Sequence, residues 1–251
     1  MMKLKLRIRL CFLKRKGFNL SAESIFITGT DTGIGKTIIT GLLLKFFRSK
    51  GVNAITQKWI QTGNVGVSED IEEHFKIAGI NGIDVKEKYK DIVPYIFSLP
   101  ASPHLAAQEE DVVIDKEKIR ESLTRLKKEF DTVLVEGSGG FLVPISNEYL
   151  LADLVTEEKM PVLIVSRNKL GAINHTLLTV QAVKKRGLKI LGIVFNRIDK
   201  NTNEKVAVDN MKIVEDITGE KVFGEIKNID DDEKLYEEFV PIADKIFSEW
   251  R

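Results

Sequence analysis

Apolar and polar positions follow one another along this chain in two rhythms. Short apolar runs bounded by glycine, asparagine or proline read as strands. Longer segments with apolar residues three and four apart read as helices. From Ser24 onward the two alternate. Strands are predicted at about 24–29, 53–58, 131–137, 161–166, 189–196 and 221–226, with a short extended segment at 94–97. Helices are predicted at about 36–50, from Ser68 onward, and near 104–109, 116–129, 149–158, 172–186, 203–217 and 231–248. Ser68-Glu69-Asp70-Ile71 places a capping side chain before early acids, as a helix start does. Gln61 to Ser68 reads as a polar loop, 79–92 as an exposed connection, and the glycines after Glu136 as a turn. Strands alternating with helices predict one α/β domain: a mainly parallel sheet with helices on both faces.

Residues 1–23 break this pattern. Leu4, Leu6, Ile8 and Leu10 alternate with Lys3, Lys5, Arg7 and Arg9, a period of two that fits a strand or an unstructured basic arm. A secretory signal needs an uninterrupted apolar centre, and this stretch has none. It is expected to be a flexible, dispensable extension, leaving 24–251 as the functional domain. The rival reading is an arm that binds an acidic surface or a membrane.

Composition sharpens this picture in three places. With 43% apolar and 30% charged residues, 251 residues suffice for a single soluble domain with a full core. The net charge of +1 conceals an asymmetry: residues 1–23 hold seven Lys/Arg and one acid, so the rest carries about −5. An acidic body is a poor match for nucleic acid. No apolar run approaches the ~18 residues that span a bilayer, so neither a nucleic-acid nor a membrane partner is expected, and the location is expected to be cytoplasmic. The single cysteine, Cys11, lies in the basic stretch, which removes disulfides and cysteine chemistry from the core.

The densest chemical signal is Ser24 to Thr37, SIFITGTDTGIGKT. A strand ends at Gly29, a glycine-bearing loop follows, and Gly35-Lys36-Thr37 opens a helix. Successive N–H groups of such a loop point inward at an anion, and the positive end of the helix adds to the field. Gly33, Ile34, Gly35, Lys36, Thr37 and Ile38 are therefore expected to cradle phosphate. Lys36 would reach the β- and γ-phosphates, and the Thr37 hydroxyl would ligate Mg2+. The fold class is then that of a phosphate-loop NTPase. The spacing Gly29-x5-Gly35 is one residue longer than the common pattern.

Ligands of open α/β sheets bind beyond the carboxyl ends of the strands, so residues leaving those ends are the next candidates. Glu136 ends an apolar run and would be a second acid toward Mg2+; a surface acid capping a turn is the plainer reading, against which Gly137-Ser138-Gly139-Gly140 speaks. Lys58 ends strand two, where a cation holds an anionic intermediate or a γ-phosphate; alone it would pass for a solvated lysine. Thr62 sits in a loop rich in donors. Asp70 would complete the carboxylates around Mg2+, although acids at helix starts are common for dipole reasons. Asn196 fits a purine edge or a turn equally well. His104 and the pair Asn174-His175 are weaker, since lone histidines mostly pack or cap.

Taken together, GTDTGIGKT (29–37), KWIQTG (58–63), PASPH (100–104), VEGSGG (135–140), KLGAINH (169–175), Asn196 and GEI (224–226) give a chain that resembles the dethiobiotin synthetases. The resemblance spans about Ser24 to Asp232. It implies closure of a ureido ring on 7,8-diaminopelargonic acid with CO2 and MgATP, through a carbamate and a carbamic-phosphoric anhydride, giving dethiobiotin, ADP and phosphate. By the same resemblance, Lys36 and Lys58 are catalytic, Lys58 meeting the carbamate, and Thr62 touches the substrate. Gly137, Ser138 and Gly139 line the substrate or phosphate side. Asn196, Arg197, Lys227, Asn228 and Ile229 fall where the family holds adenine and ribose. The family works as a homodimer, and Gly171, Ala172 and Asn174 map onto a helix start that meets the substrate carboxylate across the interface. Four positions depart from the pattern: Gly33, where some relatives carry an acid; Trp59, where proline is usual; Lys227, in place of the proline of G-x-I-P; and Asn210, near a tyrosine of some members. An amide-forming ligase with a glutaminase cysteine is disfavoured by the lone Cys11, and a ParA-like ATPase switch by the acidic body.

Overall fold

The computed structural model describes residues 23–199 and 202–251. The chain runs β1 (Glu23–Gly29), α1 (Lys36–Ser49), β2 (Ala54–Lys58), β3 (Ile60–Thr62) and α2 (Glu69–Ala78). A 3-10 turn (Gly82–Lys88) leads to α3 (Tyr89–Ile92), β4 (Tyr95–Phe97), α4 (Pro103–Glu109) and α5 (Lys116–Glu129). Then come β5 (Thr132–Gly140), α6 (Leu151–Glu157), β6 (Val162–Arg167) and α7 (Ala172–Lys185). The last elements are β7 (Ile190–Arg197), α8 (Glu204–Thr218), β8 (Val222–Lys227) and α9 (Asp232–Trp250).

Six strands form one parallel sheet in the order β2-β5-β1-β6-β7-β8. Neighbouring residues of a strand face opposite ways. Full burial of Ile25, Phe26 and Ile27, and again of Val133, Leu134 and Val135, therefore means that both faces of the sheet are covered. This is the α/β domain that the alternating pattern predicts. Because the strands run parallel, their carboxyl ends all lie on one edge. Gly29, Lys58, Arg167, Arg197 and Lys227 end their strands there, with Glu136 in register with Lys58.

Two packing contacts fix the helices near that edge. Phe46 and Phe47 of α1 meet Phe247 and Trp250 of α9 in an aromatic cluster, with centroids 5.0–5.9 Å apart. On another side, α1 lies close against α2 at Gly41, which is buried. A methyl group at Gly41 would come within 3.2 Å of the His74 Cα and 2.8 Å of the Ile77 Cδ1. Residues four apart share a helix face. Thr37 and Gly41 of α1 thus look across at Asp70 and His74 of α2.

Three expectations need correction. Gln61 and Thr62 are not loop but the end of β3, which pairs in parallel with β4 through Ile60–Tyr95, Gln61–Ile96 and Thr62–Phe97. That pairing is non-local, so three residues carry no periodicity of their own. The segment 79–92 is not simply exposed, because its charged surface surrounds the buried anchors Val85 and Ile92. The glycines after Glu136 do not turn at once, since β5 continues to Gly140, where it meets Gly29 of β1. The basic extension read at 1–23 lies outside the described residues apart from Glu23, which opens β1. Among the described residues, no helix is long and apolar enough to cross a membrane.

The α1–α2 contact has a measurable consequence. Gly41→Val is expected to lower stability by about 1–3 kcal/mol through overpacking, seen as a lower urea midpoint with an unchanged m-value. An equal or higher midpoint would mean that the helices separate freely at this point.

Candidate active site

The phosphate loop begins where β1 ends. Gly35 has φ 87°, and a Cβ there would lie 2.0 Å from the Asn196 Nδ2, so both conformation and space call for glycine. Asn196, at the end of β7, donates from Nδ2 to the Ile34 carbonyl at 2.9 Å. It braces the loop from a neighbouring strand end. Lys36 folds back over the loop, with Nζ 2.9 Å from the Asp31 carbonyl. Burial, helped by the nearby Lys58 charge, brings the Lys36 ammonium down from 10.5 to about 8. Gly139 of β5 closes the far side, since a Cβ there would stand 3.3 Å from the Thr32 Oγ1.

The second part of the site is built by register. Lys58 of β2 lies beside Glu136 of β5, and the Lys58 Nζ is 2.7 Å from the Glu136 Oε1. The same ammonium is 2.6 Å from the Asp70 Oδ2 and donates to the Gly137 carbonyl at 3.3 Å. Lys58 is 4% exposed and Glu136 2%, so neither charge is hydrated in the usual way. Burial alone would lower the Lys58 ammonium, but Glu136 and Asp70 outweigh it and hold it above the ordinary lysine value. Burial alone would raise Glu136, but the Lys58 charge and the His74 hydrogen bond outweigh it and hold its carboxyl well below the ordinary range.

Thr37 joins the two parts. Its hydroxyl donates to the Asp70 Oδ1 at 2.8 Å and lies 3.3 Å from the Glu136 Oε1. Ser68 fixes the start of α2 by accepting from the Ile71 N–H, and its hydroxyl donates to the Gln61 Oε1 at 2.6 Å. His74, fully buried, reaches the Glu136 Oε2 with Nε2 at 2.7 Å. The sequence reading passed over this histidine. Its signal was the four-residue spacing from Asp70, which puts both side chains on one face of α2.

The donor set suits a hard cation. Thr37, Asp70 and Glu136 offer only oxygen, and Mg2+ takes few protein oxygens while keeping water and substrate phosphate. No group of three His, Cys, Asp or Glu arranged to hold a metal occurs among the described residues. The fit is therefore to two carboxylates and a hydroxyl, with a lysine ammonium already lying between the carboxylates.

The remaining candidates lie around this centre. Thr62 ends β3, half-buried, and the following Gly63 packs on Pro100 of the PASPH turn. The Gly63 N–H donates to the Leu99 carbonyl at 3.1 Å. Ser138 donates to the Ile60 carbonyl and ties β5 to the same loop. Arg197 is held by Glu225 and Glu204, and Glu225 also accepts from Asn168 at 2.6 Å. Asn210 belongs to that network through Asn168 at 2.8 Å. Lys227 and Asn228 are exposed at the end of β8, and the Asn228 N–H donates to the Arg197 carbonyl at 3.1 Å. Gly171, Ala172 and Asn174 form the start of α7, where Asn174 is exposed. No hydrogen bond joins these three to the Lys36–Lys58 cluster among the described residues. A cleft of about 380 Å³ lined by Lys127, Lys159, Lys189 and Trp250 lies at the amino ends of the strands, away from this chemistry.

The sequence matches the AAA domain family over residues 23–234. An ATP-dependent dethiobiotin synthetase of Chlorobaculum tepidum is 45% identical over 213 residues, covering 84% of this chain and 87% of the relative. That of Clostridium perfringens is 39% identical over 220 residues, covering 84% and 93%. Among solved structures, the MinC:MinD cell division protein complex of Aquifex aeolicus gives a TM-score of 0.53 at 18% identity, covering 90% of this chain and 95% of that one. A ParA family ATPase from Chlorobium tepidum gives 0.53 at 14%, covering 89% and 92%. At such identities these structures share the fold alone, whereas the synthetases match in sequence across more than four fifths of both partners. This chain therefore belongs to the family of ATP-dependent dethiobiotin synthetases.

Proposed function

We infer that this protein is a dethiobiotin synthetase, closing the ureido ring of 7,8-diaminopelargonic acid with CO2 at the expense of ATP. The observation that carries this reading is a pair of buried lysines at one site, one from the phosphate loop and one from β2: Lys58 lies between the Asp70 and Glu136 carboxylates, and Lys36 feels the charge of both. One lysine serves the phosphate that leaves ATP. The other serves the anion that accepts it.

Each residue's part follows from its position. The amides of Gly33 to Ile38 and the Lys36 ammonium bind the β- and γ-phosphates, and phosphoryl transfer is then mostly positioning and charge neutralisation. Thr37, Asp70 and Glu136 would hold Mg2+, which supplies charge neutralisation on the phosphates. A carbamate formed from one substrate amine is anionic and short-lived, and Lys58 gives it a counter-charge. Its attack on the γ-phosphate breaks the bond to ADP, which leaves, and makes the mixed anhydride; the second amine then attacks the carbamoyl carbon and displaces phosphate as the ring closes. Thr62, with Gly137, Ser138 and Gly139, lines the space between diamine and phosphate. With Nδ2 spent on Ile34, Asn196 has its carbonyl oxygen left to accept from the adenine amino group. Arg197, already held by two carboxylates, places the ends of β7 and β8, where Lys227, Asn228 and Ile229 line the base and ribose. Gly171, Ala172 and Asn174 start a helix whose N–H groups suit a carboxylate, and we assign them to the substrate of a partner subunit in a homodimer. A cytoplasmic location goes with this chemistry.

A second reading, an ATPase switch like the ParA proteins, rests on fold likeness alone. Incubation with MgATP, labelled bicarbonate and the diamine separates the two: labelled dethiobiotin is expected. ATP hydrolysis indifferent to the diamine, with no ring product, would sink the synthetase reading.

Two further outcomes are expected. Lys58→Ala should lower ring formation by about 100-fold or more, the scale for one preorganised charge, while ATP still binds in equilibrium dialysis. Loss of ATP binding with carbamate capture intact would reverse the assignment. The second concerns pH. In the free protein Lys36 loses its proton at about 8, and a bound triphosphate would keep it protonated. Binding then takes up a proton, and affinity for ATP is full below about pH 8 and falls as pH rises through it. Calorimetry in two buffers of different ionisation enthalpy would register that proton; a constant Kd from pH 7 to 9 would exclude it.

A further inference from the structure

The residue that neither the phosphate loop nor the strand register explains is His74. It sits on α2 one turn beyond Asp70, and its backbone lies where α1 comes closest, against Gly41. The ring is fully buried, and Nε2 stands 2.7 Å from the Glu136 Oε2. A carboxylate that balances the Lys58 charge only accepts hydrogen bonds, so Nε2 carries the hydrogen. Nδ1 is buried with no hydrogen-bond partner. That leaves the ring one polar interaction, the bond to Glu136. Leaving a buried polar atom unpaired is costly. A purely space-filling side chain at this position would avoid that cost. What the imidazole adds is the bond to Oε2.

That bond divides the Glu136 carboxylate. Oε2 is taken by His74, and Oε1 faces the Lys58 ammonium and the Thr37 hydroxyl. With one oxygen pinned, the carboxylate cannot rotate, and Oε1 stays on the side of Thr37 and Asp70. We propose that His74 is a positioning residue: through Oε2 it orients Glu136 so that Oε1 is presented, together with the Asp70 and Thr37 oxygens, to the divalent cation of the nucleotide. This rests on the assignment of those three residues to the metal made above. Partners that orient a ligand from behind typically carry about 10–100-fold in metal affinity.

The test uses Mn2+ alone as the probe, with free Mn2+ read by electron paramagnetic resonance on the full chain. His74→Leu, which fills the space without a donor, is expected to weaken Mn2+ binding by about 10–100-fold. His74→Gln, whose amide can still donate to Oε2, is expected to return to within a few-fold of the parent. In steady state the Leu variant should raise the KM for MgATP and leave the KM for the diamine unchanged, a split that general loosening would not give. If the Leu variant does not fold, His74→Asn, whose amide stops short of Oε2, replaces it in the same comparison. A folded His74→Leu that binds Mn2+ like the parent overturns the inference, and so does a Gln variant as weak as Leu. Glu136→Gln distinguishes the underlying assignment: if it leaves Mn2+ binding unchanged, Glu136 is not a metal ligand and the role of His74 falls with it.

Discussion

The site depends on one ion pair that is out of water. Lys58 and Glu136 are set side by side by the β2–β5 register, at the edge where every strand of the sheet ends. Removing two charges from water costs several kcal/mol each, and Coulomb attraction repays it only when the remaining hydrogen-bonding positions are also filled. Here they are filled by Asp70, the Gly137 carbonyl, His74 and Thr37. They come from α1, α2 and β5, so the pair acts as a checkpoint on the packing of those elements against β2. A slip of β2 by one residue would turn the Lys58 side chain to the other face of the sheet and leave Glu136 alone.

Most of this architecture can be read in the sequence, for physical reasons. Strands of a parallel sheet covered on both faces are continuous apolar runs, so β1, β5, β6 and β7 stand out against amphipathic helices. The phosphate loop stands out because only glycine fits at Gly35. What escaped was set by partners distant in the chain. β3 exists because Gln61 and Thr62 find Ile96 and Phe97, some 35 residues on. Val85 and Ile92 are anchors hidden among lysines and acids. Asn196 could be placed at a strand end, but not its bond to the Ile34 carbonyl, which spans 162 positions. His74 was in plain view at helical spacing from Asp70, yet nothing in the sequence says that Glu136 lies opposite.

The fold shared with MinD and ParA proteins sets the limits of an argument from shape. A parallel sheet with a phosphate loop after its first strand delivers a nucleotide to one edge. It leaves open what is done there. In this chain β2 presents a buried lysine, then Trp59, fully buried and resting on Phe26 at 5.5 Å, and then the short β3. Trp59 makes the turn after Lys58 part of the core. The loop carrying Thr62 and Gly63 is then fastened to Pro100 and Leu99. The loop after Lys58 is therefore braced from a second strand, as the phosphate loop is braced by Asn196.

The lysine between the two carboxylates has one more consequence. Two ammonium groups, Lys36 and Lys58, stand against two carboxylates, Asp70 and Glu136, so the charges of this centre balance within the chain. Many small metal-binding domains are unfolded until the metal completes them. This one carries its own counter-ion on a side chain. The fold itself thereby pairs Asp70 and Glu136, and the core around them can close with no help from a cation.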